Sequence, residues 1–310
     1  QGRRSTGGSQ GGGALPMPIV MGAGGYDAAG HRDSVASVAH YGETDTALKA
    51  DVSEQMWDGT AQVNQYVLLQ PIGSGAQGDV MLAMDTDKNE LRAVKVMPRT
   101  AGTGAIDAGG RLNRKAGRMQ REVAIMKKCR HRNIVRLYEV IDDPAANSLY
   151  LVMQYVEHGA LVELRGDGSV AQPVAPATLI GYARQLCAGL HYLHNHGVIH
   201  RDIKPDNMLL GNDDVVYLSD FGVSDVFEAS SAISGTIGTK AFLAPEMWAD
   251  GEARDGKAVD VWALGLSLYT LLYGRLPWPC EDAQQYAALV ATPIEYPEVS
   301  ATGAAIDARW

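Results

Sequence analysis

Cysteine is scarce in this chain of 310 residues: Cys129, Cys187 and Cys280 stand far apart. An odd, sparse set argues against a disulfide-stapled secreted scaffold and suits reduced thiols, so a cytoplasmic or nuclear protein is expected. Long apolar runs are missing too. The longest uncharged apolar stretch lies between Asp260 and Arg275, short of the ~20 residues of a helical membrane span. An excess of positive charge is also missing. A net charge of −9 gives no general basis for binding nucleic acid. Neither a membrane nor a nucleic acid is therefore an expected partner.

What is present suits a globular enzyme or binding module. Hydrophobic residues make up 46% and charged residues 20%, enough to build a sizeable core. The length fits one two-lobed domain with a tail. Ten of the 35 glycines fall in the first 30 positions. Residues 1–60 read as a disordered Gly-rich tail, because they carry too little large apolar surface to offset ordering entropy.

Order is expected from Tyr66. Tyr66–Gly73, Asp79–Met84 and Leu91–Val96 read as three strands around a Gly-rich turn. Residues 98–118 form an insertion with five glycines and five basic residues against one acid. Met119, Val123 and Met126 are spaced four and three apart, which predicts a helix through Glu122. Leu149–Val156 reads as another strand. Leu179, Ala183, Leu186, Leu190 and Leu193 mark one face of a long amphipathic helix. Residues 261–274, apolar nearly all round, predict a buried helix. Strands first and helices later predict an α+β chain with a β-rich small lobe and a helical large lobe.

Several segments carry chemistry. Gly73-Ser74-Gly75-Ala76-Gln77-Gly78-Asp79-Val80 has the spacing of a loop whose backbone N–H groups cradle phosphates. An ordinary glycine turn and a dinucleotide fingerprint remain open at this point; the latter opens a helix after its strand. Lys95 sits in an apolar strand; if buried it needs an anionic partner, either a ligand phosphate or Glu122, and a solvent-facing strand lysine is the alternative. Then come His200-Arg201-Asp202-Ile203-Lys204-Pro205-Asp206-Asn207, Asp220-Phe221-Gly222 and Ala244-Pro245-Glu246, in that order. His191, His194 and His196 could suggest a metal site. Their place at a helix end favours a plain interaction with the negative dipole end.

Taken together, and in this order, these motifs resemble those of the eukaryotic protein kinase superfamily. The resemblance covers residues 66–310 and implies a two-lobed protein kinase fold, with an N-lobe over 66–153 and a C-lobe over 157–310. It implies ATP and Mg2+ as cofactors and a protein serine or threonine as substrate. Lys95 would hold the α- and β-phosphates and pair with Glu122. Asp202 would accept the substrate hydroxyl proton, with Lys204 beside it. Asn207 and Asp220 would hold the metal. Ile72 and residues 73–80 would cover the nucleotide. Val80, Ala93 and Leu209 would enclose adenine, Gln154 and Val156 would hydrogen-bond it through their backbones, and Met153 would form the back wall. Met126, Leu137, His200 and Phe221 look like a stacked hydrophobic spine. Lys204 and Thr239 point to the Ser/Thr class rather than the tyrosine class.

Within the superfamily, Glu122–Lys128, Asn133–Pro144, Asp220–Phe227 and Gly238–Glu246 resemble the calcium/calmodulin-dependent protein kinase kinases. They are also similar to the plant and fungal kinases upstream of AMP-activated-type kinases. That resemblance implies another kinase as substrate and raises calmodulin as a partner, although calcium control is not readable from these residues. Arg201 offers a receptor for a phosphate on Ser230, Ser231, Ser234 or Thr236. The family's last helices are expected beyond Ile294–Pro297, so the C-lobe reads as truncated, and Glu246 reads as a buried charge lacking its arginine. A kinase-fold scaffold and an inactive fragment are the competing readings. The complete set Lys95, Glu122, Asp202, Asn207 and Asp220 argues against the scaffold.

Overall fold

A computed structural model describes residues 44–54, 61–75, 78–98, 123, 126–127, 129–143, 146, 148–165, 168–220, 225–226, 232–233, 240–248, 254–278 and 292–306. All of them lie within one compact unit, Gly42–Trp310. The first half of the unit is a sheet. Its strands are β1 (Asp45–Ala47), β2 (Val52–Glu54), β3 (Ala61–Val63), β4 (Tyr66–Gly75), β5 (Gly78–Asp85), β6 (Glu90–Pro98), β7 (Leu137–Ile141) and β8 (Ser148–Gln154). The order across the sheet is β1-β7-β8-β6-β5-β4-β3-β2.

The period-2 alternation of β6 sorts its side chains between two faces. Val94 joins Val63, Tyr66, Ala83, Ile141, Tyr150 and Val152 in one core cluster. Ala93, Lys95 and Met97 take the opposite face, where Met97 joins Leu137, Leu149 and Leu151 in the main core. Pro71 lies beside a register shift in the β4–β5 pairing, a place where a residue without an N–H costs the ladder little.

The expected tail needs correcting for residues 44–54. β1 pairs in parallel with β7, and β2 pairs antiparallel with β3. Composition misses this because the segment builds no core of its own. It borrows hydrogen-bonding edges and an interior that later residues supply. Residues 1–43 and 55–60 lie outside the described residues, as do Met119, Glu122 and the whole insertion at 99–118. Val123, Met126 and Lys127 are helical, and Met126 is buried.

The second half is helical. Helix α1 (Pro176–Asn195) buries Leu179, Leu186, Leu190 and Leu193 as the spacing predicts, together with Tyr182 and Gly189, while Ala183 on the predicted face is only half-buried. Gly189 is required by contact: a Cβ there would stand 2.9 Å from Asn133 O. Asn133 is buried and donates its amide to Gln185 Oε1 and Val216 O, which fixes the turn before β7 to α1.

Helix α2 (Gly256–Tyr273) starts at Asp255, whose side chain accepts Lys257 N–H, and ends at Gly274 in the left-handed region, φ 72°. It is longer than the apolar stretch predicts. It is also not buried all round, since Val261 is 58% exposed. Between the helices run β9 (Val198–Ile199), β10 (Met208–Leu210) and β11 (Val216–Leu218), short strands that frame the loops described next. Among the described residues, no helix is long and apolar enough to cross a membrane.

Candidate active site

Lys95 lies mid-strand in β6, opposite Val80 on β5 and Leu151 on β8. It is 8% exposed, so its ammonium needs compensation. Its Nζ stands 3.3 Å from Asp220 Oδ1. That contact joins the sheet to the segment after β11. Asp220 has φ 60°, a left-handed conformation that a short polar side chain tolerates better than most. Glu122, the other expected partner of Lys95, lies outside the described residues. So do Phe221, Thr239 and residues 227–231 and 234–239, which carry the candidate phosphate acceptors.

The loop from His200 to Asn207 leaves β9. Asp202 Oδ2 receives Lys204 Nζ at 2.9 Å and Asn207 Nδ2 at 3.1 Å. Asn207 Nδ2 also donates to Asp202 O at 2.8 Å. The carboxylate is thus held by a cation and an amide from its own loop, which sets its orientation. Ser219, next to Asp220, donates both its N–H and its Oγ to Asn207 O. Asn207 and Asp220 therefore spring from one hydrogen-bonded junction.

The donor set at that junction suits a hard cation. With Asn207 Nδ2 committed, Oδ1 is the ligand atom the amide presents, and Asp220 adds a carboxylate. One or two protein oxygens, with phosphate and water completing the shell, is what Mg2+ prefers. Among the described residues, no group of three or more His, Cys, Asp or Glu is placed to hold a metal. His194 departs from the simple end-of-helix reading: its Nε2 meets Asp260 Oδ2 at 2.8 Å. His196 Nδ1 does meet a helix carbonyl, Tyr192 O.

The residues expected to meet the nucleotide lie on β4, β5, β6 and β8 and on the segments after β8 and β9. β4 and β5 pair up to Gly75 opposite Gly78, with Ala76 and Gln77 outside the described residues. A strand, not a helix, follows the glycines, which removes the dinucleotide reading. Ile72, Ser74 and Asp79 are exposed at the rim. Gly78 has φ 144°, and a Cβ there would fall 2.1 Å from Val96 O. The third glycine is thus demanded by the approach of β6.

Ala93 and Met153 pair across β6 and β8, and Leu209 bridges to Ala160. Gln154 N–H donates to Arg136 O at 2.8 Å, and Val156 O accepts Gly159 N–H at 3.2 Å. A base would therefore meet Gln154 through its carbonyl and Val156 through its N–H.

Asp260 on α2 was not singled out for a role by the sequence reading. It is 1% exposed. Oδ1 accepts Arg201 N–H at 2.8 Å, and Oδ2 accepts His200 N–H at 2.9 Å. These bonds hold Arg201 at φ 68°, a strained backbone immediately before Asp202. The available signal was a carboxylate opening an otherwise uncharged helical stretch. His200 is fully buried. Its Nε2 meets Ser219 O at 3.0 Å, and its Nδ1 accepts Asp202 N–H at 3.3 Å. That network assigns a neutral ring with the proton on Nε2. Both nitrogens are used in holding the loop, so His200 is a structural group. Glu246 needs a correction: it is exposed, so the penalty of a buried unpaired charge does not arise.

Comparison with known proteins matches the same region. A model of the protein kinase domain matches residues 66–302. The chain is 38% identical over 248 residues to the serine/threonine-protein kinase ssp1 of Schizosaccharomyces pombe, covering 77% of this chain and 37% of that protein. It is 39% identical over 252 residues to a calcium/calmodulin-dependent protein kinase kinase of Caenorhabditis elegans, covering 75% and 46%. With the serine/threonine-protein kinase GRIK1 of Arabidopsis thaliana it shares 36% over 243 residues, covering 78% and 60%. The chain thus spans less than half the length of the first two relatives.

Proposed function

The chain belongs to the protein kinase domain family, and from that premise we propose that it transfers the γ-phosphoryl group of Mg-ATP to a serine or threonine hydroxyl of another protein. The observation that carries this reading is the meeting of Lys95 Nζ, on the sheet, with Asp220 Oδ1, on the segment after β11, at 3.3 Å. A triphosphate lying there would have an ammonium on one flank and metal-binding oxygens on the other.

The geometry supports these roles. Lys95 and the backbone N–H groups of the glycine turn bind the phosphates. Mg2+, held by Asn207 Oδ1 and the Asp220 carboxylate, would neutralise charge on the phosphate oxygens. Asp202, oriented through Oδ2, accepts the proton of the attacking hydroxyl. Lys204 beside it stabilises charge on the transferred group. Such a layout matches a loose transition state, in which positioning and charge neutralisation supply most of the rate.

The finer reading is that the substrate is the activation loop of a downstream kinase of the AMP-activated type. The similarity to a calcium/calmodulin-dependent protein kinase kinase supports it, and calmodulin is the partner that similarity suggests. Three sparse cysteines support a reducing cytoplasmic or nuclear setting. The test is incubation of the full chain with Mg-ATP and a catalytically dead AMP-activated-type kinase, with and without calcium–calmodulin. Phosphoserine or phosphothreonine on the activation loop is expected. ATP binding without transfer to any protein would leave a nucleotide-binding scaffold instead.

A further inference from the structure

We propose that residues 44–54 are a strap that closes the small-lobe sheet and positions the helical turn of Val123, Met126 and Lys127. The inference rests on the kinase reading and extends it to residues that precede the matched domain at 66–302. β1 and β2 occupy opposite ends of an eight-strand order, yet only residues 48–51 separate them in the chain. A link from residue 47 to residue 52 can reach at most about 18 Å. The two outer edges of the sheet must therefore lie close, and the strap runs from one to the other.

The crossing is hydrogen-bonded at Lys49, Ala50 and Asp51 and at the strand beside it. Thr44 Oγ1 donates to Leu137 O, and Asp142 N–H donates to Ala47 O at 2.9 Å. Ala50 N–H donates to Asp143 Oδ2 at 3.1 Å. On the far edge Asp51 N–H donates to Asn64 Oδ1 at 2.8 Å, Asn64 N–H to Asp51 O at 2.9 Å, and Asn64 Nδ2 to Lys49 O at 3.2 Å. Asn64 holds φ 51°, a backbone state in which asparagine is favoured over most other residues. Ala47 and Ala50 pack on the sheet's inner cluster of Val63, Tyr66, Ile141 and Tyr150. Tyr66 Oη on β4 donates to Glu139 Oε2 on β7 at 2.5 Å, a second tie between the two ends of the strand order.

The strap also reaches the helix. Lys127 Nζ donates to Thr46 Oγ1 at 2.8 Å. Lys127 shares the helical turn of Val123 and Met126, and Glu122 precedes that turn by one residue in sequence. Thr46 is thus a positioning residue that acts through Lys127.

Coupling of this kind is reciprocal. Nucleotide that fixes strand β6 through Lys95, and with it the helical turn of Val123, Met126 and Lys127, must in turn fix the strap. The test is amide hydrogen exchange on the full chain with and without Mg-ATP, with a thermal shift to register binding. Exchange at Ala50, Asp51, Asn64 and Asp142 is expected to slow about fivefold or more on nucleotide binding. Thr46 is exposed, so Thr46→Val should fold; it is expected to lose most of that slowing, and Thr46→Ser to retain it. A thermal shift with unchanged strap exchange would overturn the inference and leave the kinase reading standing. Coupling in Thr46→Val equal to wild type would also overturn it. Failure of Mg-ATP to bind at all would remove the kinase reading, and this inference with it.

Discussion

Asp260, buried in the large lobe, accepts the backbone N–H of Arg201 at 2.8 Å and so holds the residue before Asp202 in a left-handed conformation. The catalytic loop takes its shape from a helix some sixty residues downstream. A carboxylate that satisfies two neighbouring backbone N–H groups and an imidazole cannot be removed without orphaning buried donors.

Asp260→Ala is therefore expected to lose about 3 kcal/mol or more of stability. Its kcat should also fall about tenfold or more, because Asp202 shifts with the loop. Chemical denaturation and steady-state kinetics on the same preparation check both. A soluble variant with wild-type turnover would show that the loop holds its shape unaided.

Substitutions at the chemistry itself should separate binding from transfer. Asp202→Ala is expected to lower kcat by about a hundredfold or more while Mg-ATP still raises the melting temperature. Lys95→Met is expected to lower kcat/KM by a comparable factor, about a hundredfold. Unchanged turnover in Asp202→Ala would mean that another group accepts the hydroxyl proton.

Two glycines make opposite predictions. At Gly78 a Cβ would meet Val96 O at 2.1 Å with φ 144°. Gly78→Ala should cost about 2 kcal/mol or more and weaken ATP binding by tilting the glycine turn. At Gly265, exposed on α2, a Cβ would meet nothing within 4 Å. Gly265→Ala should stabilise the protein by about 0.5–1 kcal/mol with activity unchanged. Thermal melts of the two variants test the pair directly.

Burial pushes the Cys129 thiol up to about 12. Below that value the group stays protonated, so at pH 8 the reactive thiolate is about one part in ten thousand. Iodoacetamide at pH 8 is expected to spare Cys129 in the native protein and to modify it after unfolding. Cys187, also raised by burial but exposed, should react first of the two. Rapid native alkylation of Cys129 would contradict its burial.

Much of the architecture was legible in local pattern. The alternation of Leu91–Val96 and the four-and-three spacing of Leu179 to Leu193 depend only on which side chains share a face. Those periods survive into β6 and α1. The ordered motifs around Lys95, Asp202, Asn207 and Asp220 were legible because phosphate, metal and proton chemistry restrict both residue type and spacing. Of the insertion at 98–118 only Pro98, the end of β6, is among the described residues, and Glu122 is not.

By itself, the amino-acid order determined the alternation of strands and helices, the small inventory of polar groups able to do chemistry, and the glycines that no other residue could replace. Only the tertiary structure decided that Lys95 meets Asp220, that Asp260 shapes the loop before Asp202, and that residues 44–54 bind both edges of the sheet. The physical reason is range. Periodicity and turn chemistry act over a few residues, whereas these contacts join positions far apart in sequence. Their partners become visible only once the core has brought the backbones together.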